Sequence, residues 1–581
     1  MKKILLSLFL SCFLYPLFGQ SSVFRSVRSG LWHDPGTWEI LNQGQWITAN
    51  SSPDSLSVSV NILSGDTVTV ESAAGANNLL TEGVLKIPPS GILRIIGTNS
   101  VVSASGVIYD EGLIRSAGSS LRFSAGARYI HGQSMSEGSI PAAQWDPESY
   151  LEIRGYKRVF NATTAGGWNA QFGHVIWNTP NLEGDFFLNS LLTSISGNLE
   201  IQNTNSFVLR LTNSGPSEIR IGRDLLVSGT SGFSVSRQGP NNGHVSVYIS
   251  RDFIYTSSAP QGSRICEQGT SAFHIGRDFK MDRGTLYFSS GSGGSSSAGA
   301  DLKVAGDFLF TGGVLDASVA NSNRVGDLFF TGQTEQQFVA TGQITGAFHY
   351  RLTPGSVVRI GPDQAMSGSS FECNACTLIV TSTDPAGAIQ KNTTAGGNIR
   401  VRTQFWNSGA TIIYGGSSRQ FIGGDHPIQS GVRLLLDNPG GLEVSATGTG
   451  VTTWGDLDIF RAHLTVSGNN LTIRGKLNTY GGKVLVSSQR LSSARTLTVD
   501  GDLLLNGAGD RLRMESSTDN NAANAVLVLN GNLGGTGYLS FTGTNTHLQI
   551  SGLARTFNRT LPVRSAFTLE QLTINSPGTF L

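Results

Sequence analysis

Short runs in which apolar and polar residues alternate fill this chain almost from end to end. Leu56-Ser-Val58-Ser-Val60-Asn-Ile62, Thr67-Val68-Thr69-Val70, Thr496-Leu497-Thr498-Val499 and Val526-Leu527-Val528-Leu529 each place every second residue on one face. A period of two with β-branched residues, punctuated by Gly, Ser, Thr and Asn, predicts half-buried strands separated by turns. No window carries a helical period with caps at both ends. The expected fold class is all-β.

A repeat underlies the alternation. An aliphatic residue, any residue, Gly or Arg, Asp or Asn, then Leu or Phe occurs as Ile195-Ser-Gly197-Asn198-Leu199 and Ile221-Gly-Arg223-Asp224-Leu225. It returns as Ile249-Ser-Arg251-Asp252-Phe253, Ile275-Gly-Arg277-Asp278-Phe279 and Val304-Ala-Gly306-Asp307-Phe308, with a looser copy at Gly326-Asp327-Leu328. A second array runs through Gly455-Asp456-Leu457, Gly475-Lys476-Leu477, Gly501-Asp502-Leu503 and Gly531-Asn532-Leu533. Steps of 20 to 30 residues suit one coil of a parallel β-helix, three strands of about five residues with three turns. The flanking aliphatics are expected to point inward. Gly with Asp or Asn is expected to take a tight corner, glycine for its tolerance of positive φ and the acid or amide for a bond to its own backbone. A leucine-rich repeat would show a Leu ladder and a propeller a longer period. A β-sandwich array predicts no single-coil repeat.

These patterns divide the chain into a signal peptide (1–19), an N-terminal cap (20–60), a first solenoid section (61–190), repeat array one (191–345), a less regular section (346–450) and repeat array two (451–581). Lys2 and Lys3, followed by the apolar stretch from Ile4 to Phe18 and the small residue Gly19, form a secretory signal peptide. A rival reading makes Cys12 a lipidation site. The expected location is extracellular or on the outer cell surface, with no transmembrane helix. Trp32, Trp38 and Trp46 in the cap read as the plug of a terminal core rather than a sugar platform. Strand-like sequence at Leu569 to Ile574, close to the last residue, reads as a truncated array.

Composition narrows the function. Charged residues make up 14% of the chain, against a typical ~25%, and the net charge is +1, so no basic stripe marks a nucleic-acid or membrane surface. Past the leader only Cys266, Cys373 and Cys376 remain. Cys373 and Cys376 lack the further ligands of a zinc site and read as core packing or a local disulfide at a bend.

Several segments resemble Bacteroidota surface proteins of the β-helix, adhesin-like kind. They are Ser26-Val-Arg-Ser-Gly30-Leu-Trp32-His-Asp34-Pro-Gly-Thr37-Trp38-Glu39 with Ser64-Gly65-Asp66-Thr67-Val68, then Ile140-Pro141-Ala142-Ala143-Gln144-Trp145, and the Gly-Asp-Leu and Gly-Asp-Phe coils. Ile153-Arg-Gly155, Phe172-Gly173, Trp177-Asn178, Phe330-Thr-Gly332 with Gln337-Phe338, and Leu548-Gln-Ile550 with Leu572-Thr-Ile574-Asn575 extend the likeness over nearly the whole chain. The resemblance implies a secreted solenoid, often delivered by type IX secretion through a C-terminal β-sandwich sorting domain. Nothing in this sequence matches that domain, and the resemblance supplies no functional residues.

No catalytic, cofactor-binding or metal-binding residue is assigned. Corner acids Asp224, Asp252 and Asp278 have the coil-to-coil spacing of a glycosidase pair, yet they recur with the motif beside Arg223, Arg251 and Arg277 and read as solvated ion pairs and turn bonds. Asp110-Glu111 and Asp146 with Glu148 lack a third metal ligand, and Gly423-Gly-Asp425-His426 reads as a turn. The expected function is therefore that of a non-enzymatic adhesin or rigid spacer without cofactor, whose flat face contacts an extracellular glycan or surface protein. The alternative is a polysaccharide-active β-helix enzyme, lyase or hydrolase, with unrecognised acids.

Overall fold

A computed structural model describes residues 22–551 and 571–575, apart from 117–120, 135–139, 158–166, 169, 213–216, 237–243, 268, 290–298, 319–325, 392–395, 428, 430, 448–449, 454, 490, 517–522 and 544. Residues 1–21, which include the expected signal peptide and Cys12, and residues 552–570 and 576–581 lie outside this set. The chain is an all-β parallel solenoid, and among the described residues the single helical turn is a 3-10 turn at Pro35–Thr37. It divides into two units, Met1–Asn213 with Ile219–Phe233, and Ser234–Leu581 with Ser214–Glu218.

In the first unit, strands such as Thr67–Thr69, Val84–Ile87, Val107–Asp110, Arg128–His131, Tyr150–Ile153 and His174–Asn178 stack in parallel. Val68, Leu85, Ile108, Tyr129, Leu151, Val175 and Leu199 stand in register, 17 to 24 residues apart, and each is fully buried. All but Tyr129, whose hydroxyl is hydrogen-bonded, add a wholly apolar side chain to the column, worth about 1.5–3 kcal/mol per large aliphatic. Two further ladders close the triangle of each coil, Ser59–Ile62 through Leu121–Phe123 and Ala73–Ala76 through Leu113–Ser116.

The cap is antiparallel. Val23–Ser26 pairs with Trp38–Asn42, which pairs with Gln45–Thr48, while Val23–Ser26 also pairs in parallel with Ser59–Ile62. The cap thus covers the open edge of the first coil. Trp32 and Trp38 form the expected plug, fully buried, edge to face at 5.3 Å, their indole N–H groups donating to Pro53 O and Trp32 O. Trp46 departs from that expectation. It lies half-exposed on the outer strand beneath the Arg25 guanidinium at 4.3 Å. The alternation at Leu56 also begins too early: the strand is Ser59–Ile62, and Leu56 is 82% exposed.

In the second unit an aromatic column replaces the aliphatic one. Phe253, Phe279, Phe308 and Phe338 are in register with centroids 5.1 to 5.5 Å apart. Later coils carry Leu434, Leu457, Leu477 and Leu503 in one column. Cys373 and Cys376 form a disulfide across a turn, with Ala375 at φ +45° between them, and Cys266 is a buried free thiol.

The repeat motif occupies a corner, as its spacing predicts, and Ile249, Phe253, Ile275, Phe279, Val304 and Phe308 all point inward. The reason for its Gly and Asp is different from the expected one. Gly306, Gly455, Gly475, Gly501 and Gly531 do not have positive φ. A Cβ at Gly531 would instead lie 1.8 Å from Gly501 O, and at Gly475 2.5 Å from Gly455 O. In the second array, where Gly455, Gly475, Gly501 and Gly531 follow one another, glycine fits because consecutive corners stack backbone on backbone; in the first array Arg223, Arg251 and Arg277 hold the same motif position.

The acid or amide does not bond its own backbone; it reaches the next coil. Asp252 Oδ1 accepts from Asp278 N (3.1 Å), Asp278 Oδ1 from Asp307 N (2.9 Å) and Asp307 Oδ1 from Gln337 N (2.8 Å). Asn198 with Asp224 N, Asp456 with Lys476 N and Asp502 with Asn532 N repeat the bond. Gln337 therefore holds the corner after Asp307. The looser copy at Asp327 belongs to the strand Gly326–Phe330, where its side chain faces out.

Candidate functional site

Where the first unit's strands end, their turns line an open groove of about 730 Å³. Glu111-Gly112, Gly132-Gln133-Ser134, Arg154-Gly155 and Lys157, then Pro180-Asn181, follow four successive strands of one ladder and so lie one coil apart, about 4.8 Å per step. A second hollow of about 420 Å³, lined by Thr69, Lys86, Pro88, Tyr109 and Glu111, adjoins it and shares Tyr109 and Glu111.

Glycines floor the groove because side chains do not fit there. A Cβ at Gly112 would meet Gly91 O at 2.3 Å, and one at Gly155 would meet Gly132 at 2.2 Å. The walls carry the chemistry: the half-buried Tyr109 ring, the amides of Gln133, Asn178 and Asn181, and the charges of Glu111, Arg154 and Lys157. Tyr109 Oη donates to Glu111 at 3.2 Å, and burial together with the Glu111 carboxylate raises the pKa of the phenol. Arg154 pairs with the buried Glu152, which Arg128 also holds at 2.7 Å.

Beneath the groove wall lies a polar cluster inside the coil. Asp110 and His131 occupy inward positions on neighbouring strands, both 0% exposed. Tyr129 Oη donates to Asp110 at 2.8 Å and lies 3.3 Å from His131 Nδ1, Gln133 approaches Asp110 at 3.4 Å, and Gly112 N donates at 3.1 Å. With no cation beside it among the described residues, burial pushes the Asp110 carboxyl up to about 6, and burial drives His131 down to about 3. The cluster touches the groove only from behind: Gly112 and Gln133, which line the groove, are also partners of Asp110, whose own carboxylate is fully buried.

Among the corner acids, Asp224 and Asp278 remain part-exposed, Asp278 paired with Lys280 at 2.9 Å, and Asp252 departs from the expected solvated pairs. Asp252 is buried, held by Arg277 at 2.6 Å through both carboxylate oxygens and by Lys280 at 2.8 Å. Burial alone would raise its pKa; the Arg277 and Lys280 hydrogen bonds and the Asp278 N–H outweigh burial and hold it well below the usual carboxylate range. Arg223 pairs not with a corner acid but with Glu148, while Asp146 caps the turn by accepting from Glu148 N at 3.0 Å. Asp425-His426 is a turn as expected, and His426 is buried against Tyr414 at 3.2 Å. Among the described residues no group of three or more His, Cys, Asp or Glu is placed to hold a metal ion, and no helix is long and apolar enough to cross a membrane.

Sequence reading missed one further constellation. On an outward face of the second unit, Asp301, Asp327 and His349 are in-register neighbours, as are Tyr248, His274, Lys303, Phe329, Arg351 and Glu372. Phe329 lies between Lys303 and Arg351, each 5.5 Å from its ring, and Arg351 holds both Asp327 (2.9 Å) and Glu372 (3.0 Å). Burial and then the Asp327 charge raise the Asp301 pKa. A polar residue every other position was visible in sequence, but only register brings these side chains into rows.

Comparison with known protein families, with curated proteins and with solved structures finds no match.

Proposed function

We propose that this chain is a secreted or cell-surface solenoid that binds an extended glycan along the first unit's groove without cleaving it. The observation that carries the reading is the groove itself. It is open, runs across successive coils, has a floor of bare glycine backbone, and is walled by one aromatic ring and several amides. Amides and a half-buried tyrosine suit sugar hydroxyls and the apolar faces of pyranose rings. Coil-to-coil recurrence suits weak contacts summed along a chain. The groove's titratable groups favour binding over catalysis. A raised pKa makes Tyr109 a poor base, and Asp110, whose pKa near 6 would suit an acid catalyst, is sealed inside the coil. Secretion and the adhesin-like role rest on the leader sequence and on the resemblance. The test is a glycan array probed with the purified chain, read for retained binding and for released reducing sugar. Binding that Tyr109→Ala weakens about ten-fold, with no sugar released, is the expected result. Released sugar would sink the non-enzymatic reading.

A second reading, a glycan-cleaving enzyme, is favoured by the pair Asp301 and Asp327. In-register side chains on parallel strands stand about 5 Å apart, the carboxylate separation of retaining glycosidases. Their environments differ as acid and nucleophile require, with Asp327 held by Arg351 and the Asp301 pKa raised. If cleavage is seen, Asp301→Asn abolishes it under this reading while leaving glycan binding intact.

A further inference from the structure

The groove's charges can be sorted by whether they are already satisfied. Arg154 is committed to the buried Glu152, and Glu111 accepts from Tyr109. The two lysines, Lys86 in the adjoining hollow and Lys157 in the main groove, are exposed and have no ion-pair partner among the described residues. They bracket Tyr109 from opposite sides. Lys86 is the in-register neighbour of Tyr109, and Lys157 follows Tyr150–Ile153, so the pair spans about three coils, roughly 14 Å along the stack.

Two exposed ammonium groups without an ion-pair partner among the described residues, about three coils apart along a glycine-floored trough, are a pattern for a linear ligand with acidic groups at intervals. We propose that the groove's ligand is an acidic polysaccharide, one whose sugars bear carboxylates or sulfates. This inference rests on the groove being a glycan site. Lysine suits it because an ammonium on a flexible stem meets an anion without fixing its orientation, which tolerates sugars that slide by one unit. The Glu111 carboxylate between the lysines sits where Tyr109 already hydrogen-bonds it. An uncharged stretch of ligand therefore passes the ring, while the acidic groups fall to either side.

The experiment measures binding of the full chain to polygalacturonate oligomers, to the same oligomers with their carboxyls methyl-esterified, and to polyglutamate, at low and high salt. Under the proposal the free-acid oligomers bind at least ten-fold tighter than the esters. The advantage shrinks as salt rises and disappears in Lys86→Gln/Lys157→Gln, which retains residual ester binding. Equal affinity for acid and ester, lost in Tyr109→Ala, would overturn the acidic class and leave the glycan groove standing. Polyglutamate binding as tight as the acidic oligomers would overturn the saccharide class. Failure of every oligomer to bind, or binding indifferent to both Tyr109→Ala and the lysine variant, would remove the groove reading itself.

Discussion

Asp110 in the first unit and Asp252 in the second are both carboxylates with almost no exposure, and their surroundings drive them in opposite directions. Asp110 is the last residue of the strand Val107–Asp110 and points into the coil's interior, where among the described residues only neutral donors reach it: Tyr129, Gln133 and the Gly112 N–H. Asp252 sits at a corner, where Arg277 and Lys280 extend their aliphatic stems from the surface and place their charges on it while remaining half-solvated. The difference lies in the direction of the side chain: Asp110 points into the coil, whereas Asp252 at its corner and Glu152 on its strand can each be reached by cations whose stems run along the surface. Surroundings, rather than degree of burial, decide whether a buried acid ionises.

The largest expected effect comes from removing the corner acid. Asp252→Ala leaves the Asp278 N–H without its acceptor and Arg277 and Lys280 without their partner. Because both cations are half-exposed, the loss is about 3 kcal/mol rather than the cost of a fully buried pair, read as a lower midpoint in thermal unfolding at pH 7. The folded-state pKa of Asp252 lies below its unfolded value, so this stability is present above the ordinary carboxylate range and lost as pH falls through it. The next effect has the opposite sign. The folded-state pKa of Asp110 is raised from 3.8 to about 6, so the folded state favours the protonated form, and stability falls as pH rises between those values. Asp110→Asn should therefore stabilise the protein by about 2–3 kcal/mol at pH 7.5 and change little below pH 4. A flat pH response in this variant, or destabilisation at neutral pH, would break the comparison.

Much of this architecture was legible because it is written locally. Alternation gave the strands, and the spacing from Asn198 to Asp307 gave the coil length, since each corner must return at the same phase of the stack. What lay beyond sequence was register. Asp327 follows a glycine and precedes a leucine, as corner acids do, yet lies mid-strand; only pairing with Asp301 and His349 shows its outward position. The groove was illegible for the same reason: Gly112, Gly132 and Gly155 are unremarkable turn residues until stacking places them in one floor. Trp46 was misassigned because three tryptophans in a short segment look alike, while strand pairing puts one on the far side of the cap sheet.

Two smaller changes separate the corner's steric and electrostatic parts. Gly531→Ala drives a Cβ to 1.8 Å from Gly501 O, and since backbone rather than a flexible side chain must yield, a loss of about 2 kcal/mol is expected by thermal unfolding. Gly184→Ala, in open space, is the control and should be near neutral. The smallest effect is expected for Asp278→Asn. The corner's shared requirement is a side-chain carbonyl oxygen that accepts the next coil's N–H, and Asn198 supplies it to Asp224 N as Asp278 does to Asp307 N. The substitution keeps that oxygen and gives up only the Lys280 contact, which Lys280 largely recovers through Asp252. The cost should stay below about 1 kcal/mol and shrink further in high salt. A loss as large as that of Asp252→Ala would mean that charge, not the acceptor, holds the corners together, and that Asn198 and Asn532 mark weak coils in the stack.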